Sequence, residues 1–194
     1  MLGSNTPAQL LDTIVFSFGL NFALRAGQEH CNLRRGQLSQ LQIKTDQDGA
    51  RYLLYTEDVS KTNTGGLNSR KVDPKIVRVY EDDECPEKCV VKLYEKYISL
   101  CPKSGETDAF YLRPNKYPTE SVWFDNIPVG VHRLQDTVAR LCKVAGFTGY
   151  FTNHSLRATA ATRLYSAGVD EQLISEKTGQ RSLALRSYKR TSDD

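Results

Sequence analysis

The sequence predicts an α+β fold, mainly helical with a small antiparallel three-stranded sheet, on three observations. Apolar residues recur at helical spacing in three separated stretches, residues 7–18, 87–100 and 130–145. Between residues 38 and 80 the period drops to two, and an Asp48-Gly49 pair sits between alternating runs, a strong hairpin signal. The chain has 194 residues, 25% of them charged and 39% hydrophobic, which suits a single globular domain over 1–194 with a core of its own.

In chain order, Thr6 caps and Pro7 opens a helix whose Leu10, Leu11, Ile14, Val15 and Phe18 share one face. Gly19 is expected to break it, and Asn21 to Gly27 reads as a second short helix carrying Arg25. An arginine straight after Phe22-Ala23-Leu24 is either costly to bury without an anion or laid over the core with its head in water. Leu41 and Ile43, then Tyr52 to Tyr55, then Lys75 to Tyr80 form the three strands. Lys61 lies in the glycine-rich connection between the second and third, with Lys71 further along it; taken alone, a lysine there is simply solvated. An acidic stretch, 81–88, leads to a helix ended by Pro102 and Gly105. Phe110-Tyr111-Leu112 reads as a short buried strand, and 113–129, with three prolines, as a long connection in which Trp123 either packs or stacks on a base. One helix over 130–145 follows, bearing His132, which has no evident partner. Thr152 or Asn153 caps a helix ended by Gly168, Asp170 caps another ended by Gly179, and 182–190 forms a last short helix.

The composition excludes several classes. No apolar run approaches the roughly 20 residues that cross a bilayer, and the first residues lack a basic region followed by an apolar one. The five cysteines, at 31, 85, 89, 101 and 142, are odd in number and irregular in spacing, which suits reduced thiols and not zinc ligation or a disulfide framework. The net charge of +3 is modest. The C-terminal end is nonetheless basic, with Lys177, Arg181, Arg186, Lys189 and Arg190. There is no internal repeat and no low-complexity tract.

The chemistry-bearing stretch is His154-Ser155-Leu156-Arg157, then Gly179-Gln180-Arg181-Ser182, then Tyr188. His154 and Arg157 stand one helical turn apart on one face. This set could grip a phosphate and attack it. It resembles the catalytic domain of the tyrosine recombinases and integrases. The wording from His154 to Leu164, followed by Gly168-Val-Asp-Glu-Gln-Leu-Ile174, is most similar to the Crypton-derived eukaryotic branch.

The resemblance runs from about Arg25 to Tyr188. It implies the tyrosine recombinase catalytic-domain fold, double-stranded DNA as partner, no metal or cofactor, and strand cleavage through a 3′-phosphotyrosine. It implies Arg25 and Arg157 as phosphate clamps, Lys61 as general acid, His154 as general base and Tyr188 as nucleophile. Gln180 stands where the family usually has histidine or tryptophan; its amide can donate a hydrogen bond but carries no charge. Tyr188 also falls one residue short of the family's spacing from that donor, about 100° of helical rotation. These departures favour a second reading, a domesticated, non-catalytic DNA- or protein-binding module of a nuclear regulatory protein. A type IB topoisomerase-like enzyme shares the chemistry and fits the wording less well. The resemblance further implies nuclear localisation, a separate N-terminal DNA-clamping domain absent from these residues, and a tetramer on DNA formed by a chain that is monomeric alone.

Overall fold

Thr6 Oγ1 accepts a hydrogen bond from the Gln9 amide at 3.3 Å and starts helix α1, Pro7–Asn21, whose Leu10, Leu11, Ile14, Val15 and Phe18 are all buried. The computed structural model describes residues 2–58, 74–180 and 183–189, and α1 is its centre. Gly19 does not break the helix. A Cβ there would lie 2.6 Å from Leu156 Cδ1, so the glycine serves close packing against the later helix that carries Leu156. The second helix, α2, spans Ala26–Cys31 and begins after Arg25, not before it. Arg25 therefore leaves an extended turn, preceded by the buried Phe22, Ala23 and Leu24.

The sheet is antiparallel in the order β1 (Leu41–Thr45), β2 (Arg51–Thr56), β3 (Ile76–Tyr80). Leu41, Tyr55 and Val77 lie in register, as do Ile43, Leu53 and Val79, and these six form its inward face. The hairpin between β1 and β2 turns at Gly49, φ 84°, with Asp46 Oδ1 accepting from the amides of Asp48 and Ala50.

Helix α3, Val90–Ser99, packs on α1 and buries Val91, Leu93 and Tyr97 in the core. Tyr97 is fully buried because its hydroxyl is used twice, donating to Phe110 O at 2.9 Å and accepting from Leu112 N at 2.8 Å. The proline-rich stretch is not a bare connection. It pairs as a two-stranded sheet, β4 (Leu112–Pro114) with β5 (Phe124–Pro128), the prolines marking strand ends. Trp123 packs against the core, beneath the Lys96 ammonium. The expected helix over 130–145 is two, α4 (Val131–Gln135) and α5 (Thr137–Val144), joined at Asp136. Arg140 of α5 bonds the buried Asp12 of α1 at 2.5 Å, fixing the pair to the core.

Helix α6, Asn153–Ser166, lies across α1, and α7, Glu171–Thr178, packs on α6. Asp170 caps α7 through the Gln172 amide at 2.8 Å, and Gly179 ends it in the left-handed conformation, φ 65°. The last element, Leu183–Tyr188, is a 3-10 helix and not an α-helix. Among the described residues, no helix is long and apolar enough to cross a membrane.

His30 is buried between Gly19 of α1 and Tyr111, its Nδ1 2.8 Å from the Tyr111 hydroxyl. Burial pushes its pKa from 6.5 down to about 3. Between those values the unfolded chain binds the extra proton, so this stability is complete above pH 6.5 and is lost as the pH falls toward 3. In equilibrium urea unfolding, His30→Gln is expected to flatten the pH dependence between 6.5 and 4, with the wild-type chain losing several kcal/mol over that range.

Candidate phosphate-binding site

Three cationic side chains from distant parts of the chain meet at the C-terminal end of α7. Arg25 comes from the turn before α2, Lys75 from the residue before β3, and Arg157 from the first turns of α6. A Cβ on Gly179 would lie 3.4 Å from Lys75 Cδ, 3.7 Å from Arg157 Nη2 and 3.9 Å from Arg25 Nη2. These are ordinary contact distances, so it is the left-handed backbone, φ 65°, that favours glycine here. Arg25 Nη2 donates to the Gly179 carbonyl at 2.8 Å.

The three cations differ in exposure, and their electrostatics follow from that. The Arg25 side chain is 49% accessible and is steadied by Glu29, whose carboxylate accepts from the Arg25 amide at 2.6 Å and lies 3.4 Å from Nε. Arg157 is only 3% exposed, and its Nε has no hydrogen-bond partner among the described residues. Burial, with Arg25 second, lowers its pKa to about 10. Lys75 is 4% exposed and donates to the carbonyls of Phe22 at 2.9 Å and Ala23 at 3.4 Å, with its ammonium 5.3 Å from the centre of the Tyr55 ring. Desolvation first, opposed by Glu29, brings its pKa down to about 8.

Beside this cluster, His154 Nε2 is 2.8 Å from the Tyr188 hydroxyl. Ser155 Oγ accepts from the Thr152 amide at 3.1 Å, holding the first turn of α6 that presents His154. Thr162 Oγ1 donates to the Tyr188 carbonyl at 3.2 Å, holding the final 3-10 helix against α6. The phenol also acts electrostatically on Arg157. Gln180 follows Gly179; its carbonyl accepts from Ser175 Oγ at 2.5 Å, and its Oε1 is buried with no partner among the described residues.

The structure thus brings Arg25 and Arg157 together, and sets His154 against Tyr188, with Gln180 one residue from the cluster. Lys61 and Lys71 lie outside the described residues. Reading the sequence missed Lys75 and Glu29. The signal for Lys75 was its phase: it shares the inward parity of Val77 and Val79, where a lysine is out of place unless it has partners. The signal for Glu29 was its position four residues after Arg25, one helical turn on.

Such a pocket has the chemistry to hold a tetrahedral oxyanion: planar guanidinium forks, one of them with an unused donor, in a partly dry setting. Its own charges repel. Between about pH 8 and 10.5 the unfolded chain holds a proton that folded Lys75 has released, so this contribution to stability is complete above pH 10.5 and lost as the pH falls through about 8. Urea unfolding from pH 7.5 to 10.5 is expected to show a rise of roughly 3 kcal/mol in the wild-type chain relative to Lys75→Met.

Comparison with known proteins places the fold. The XerH site-specific recombinase in its post-cleavage complex with palindromic difH substrate superimposes with a TM-score of 0.62 at 16% identity, over 99% of this chain and 45% of that one. The XerA recombinase gives 0.54 at 21% over 100% and 61%, and the Tn1549 transposon integrase with circular intermediate DNA 0.53 at 18% over 93% and 54%. The fold is therefore that of the tyrosine recombinase catalytic domain. Among curated sequences, transcriptional regulator QRICH1 of Homo sapiens is 26% identical over 147 residues, 72% of this chain and 19% of that protein. Zinc finger MYM-type protein 3 of Mus musculus is 29% identical over 154 residues, 74% of this chain and 11% of that protein. The chain spans less than a fifth of the length of these relatives. The sequence pattern of the domain of unknown function DUF3504 matches residues 1–143, and on that match the chain belongs to the DUF3504 family.

Proposed function

We propose that this chain is a DNA breaking-and-rejoining catalytic domain of Crypton type, acting on double-stranded DNA through a 3′-phosphotyrosine. The observation that carries the reading is the convergence of Arg25 and Arg157 on Gly179, with the His154–Tyr188 contact of 2.8 Å beside it. A phosphodiester gains charge on the way to its transition state, and donors fixed beforehand stabilise that charge without reorganising. Arg25 and Arg157 clamp the non-bridging oxygens, and Gln180 contributes an amide donor. The Tyr188 oxygen forms a bond to phosphorus and passes its proton to His154. The bond from phosphorus to the 5′ oxygen breaks, and Lys61 protonates that oxygen. The phosphotyrosine conserves the bond energy for rejoining, and the arginine and lysine cations do the charge neutralisation that a metal would otherwise supply. Recombination then proceeds in a tetramer on DNA, built from chains that are monomeric in its absence.

A second reading is favoured by Gln180 in place of a charged or aromatic donor, and by relatives named as a transcriptional regulator and as zinc finger proteins. In that reading the domain is a domesticated, nuclear, DNA- or protein-binding module, and the pocket holds a backbone phosphate without cutting it.

A nicked suicide duplex separates the two. The first reading expects a covalent protein–DNA adduct that disappears in Tyr188→Phe and slows by about 10² to 10³ in Arg157→Ala. Salt-dependent duplex binding with no adduct, on a cognate site, sinks the first reading and leaves the second. Under both readings Arg25→Ala and Arg157→Ala each reduce the magnitude of the slope of log affinity against log salt by about one.

A further inference from the structure

Lys75 supplies one of the three cations, and the obvious role for a pocket lysine on the β2–β3 connection is to protonate the leaving oxygen. Its contacts point elsewhere. The stem, not the ammonium, approaches Gly179, since Cδ is the atom at 3.4 Å. Nζ runs back to the C-terminal end of α1, onto the carbonyls of Phe22 and Ala23. These carbonyls lie at the end of α1, where orphan acceptors and the helix dipole favour a cation.

What Lys75 holds there is an unusual piece of backbone. Ala23 has φ 49°, alone among the described non-glycine residues in being positive, a conformation an L-residue adopts at a cost. Two residues later the chain delivers Arg25 in extended conformation, with its amide on Glu29 and its guanidinium on Gly179. The path from α1 to that guanidinium runs through the residue Lys75 ties down. From the other side, Glu57 accepts from the Lys75 amide at 3.1 Å, so the tie is anchored to the sheet.

We propose that Lys75 is a positioning residue for Arg25 and not the leaving-group acid: its ammonium fixes the left-handed Ala23 turn that aims Arg25 at the phosphate. This rests on the role given above to Arg25. It predicts that Lys75 acts through Arg25, whereas a general acid acts independently of it.

Two measurements test this. In the ¹⁵N-labelled free protein, Lys75→Met is expected to speed exchange of the Arg25 backbone amide at least tenfold. It is also expected to move the Arg25 Nε–H signal to the position of a free arginine, with Lys75→Arg restoring part of both and exchange in the α3 core unchanged. An Arg25 amide and Nε–H unaffected by Lys75→Met overturn the proposal, whether or not the domain cuts DNA. In the cleavage assay, a duplex with a 5′-bridging sulfur leaves as thiolate and needs no acid. Lys75→Met is expected to be equally defective on the oxygen and sulfur substrates, and no worse when combined with Arg25→Ala. Rescue of Lys75→Met by the sulfur substrate makes Lys75 the acid and also overturns the proposal. Absence of any wild-type adduct instead counts against the catalytic reading, and the exchange measurement still decides the role of Lys75.

Discussion

The structure is organised around holding like charges together. Arg25, Lys75 and Arg157 crowd one backbone position, two of them nearly dry, an arrangement their mutual repulsion opposes. The fold answers with partial negative charge aimed from several directions. The carbonyls ending α1 face Lys75, the carbonyl ending α7 faces Arg25, Glu29 grips Arg25 from α2, and the Tyr55 ring lies beneath the ammonium. Two helix C-termini and one ring face thus add to the Glu29 carboxylate in offsetting the repulsion. Among the described residues Arg157 Nε has no partner, an unspent donor among cations.

The same pocket serves both functional readings because anchoring a backbone phosphate and activating one differ only in what stands next to it. Here the His154–Tyr188 pair is in contact already, and Thr162 and Ser155 hold its two sides. In the catalytic reading, that contact sets the nucleophile against its base beside the two arginines. The weak point of that reading is Gln180, a neutral residue whose buried Oε1 has no partner among the described residues.

Much of this was legible in the sequence where one physical rule acted alone. Helical periodicity gave α1 and α3, the Asp48-Gly49 turn gave the first hairpin, and caps with terminating glycines gave α6 and α7. It failed where two rules competed. Gly19 looked like a breaker because its cost in a helix is local, while its benefit, room for Leu156, comes from 137 residues away. Arg25 was placed in a helix because Ala23 gives no warning of a left-handed turn. The β4–β5 pair was hidden by prolines that sit at strand ends. Within the site, a short motif carried His154, Arg157 and Tyr188, whereas Lys75 depends on a tertiary fact, that the end of α1 lies over the start of β3.

The site is assembled from both ends of the polypeptide. Arg25 and its carbonyl partner Gly179 are 154 positions apart, and α6 begins at Asn153, beyond residue 143 where the shared family pattern stops. The shared family pattern therefore covers Arg25 and Lys75, whereas His154, Arg157, Gly179 and Tyr188 all fall in the segment that follows it. Two proteins grouped by the common portion can share that scaffold and still differ at this cluster, because evolution can edit the trailing segment while the body stays intact.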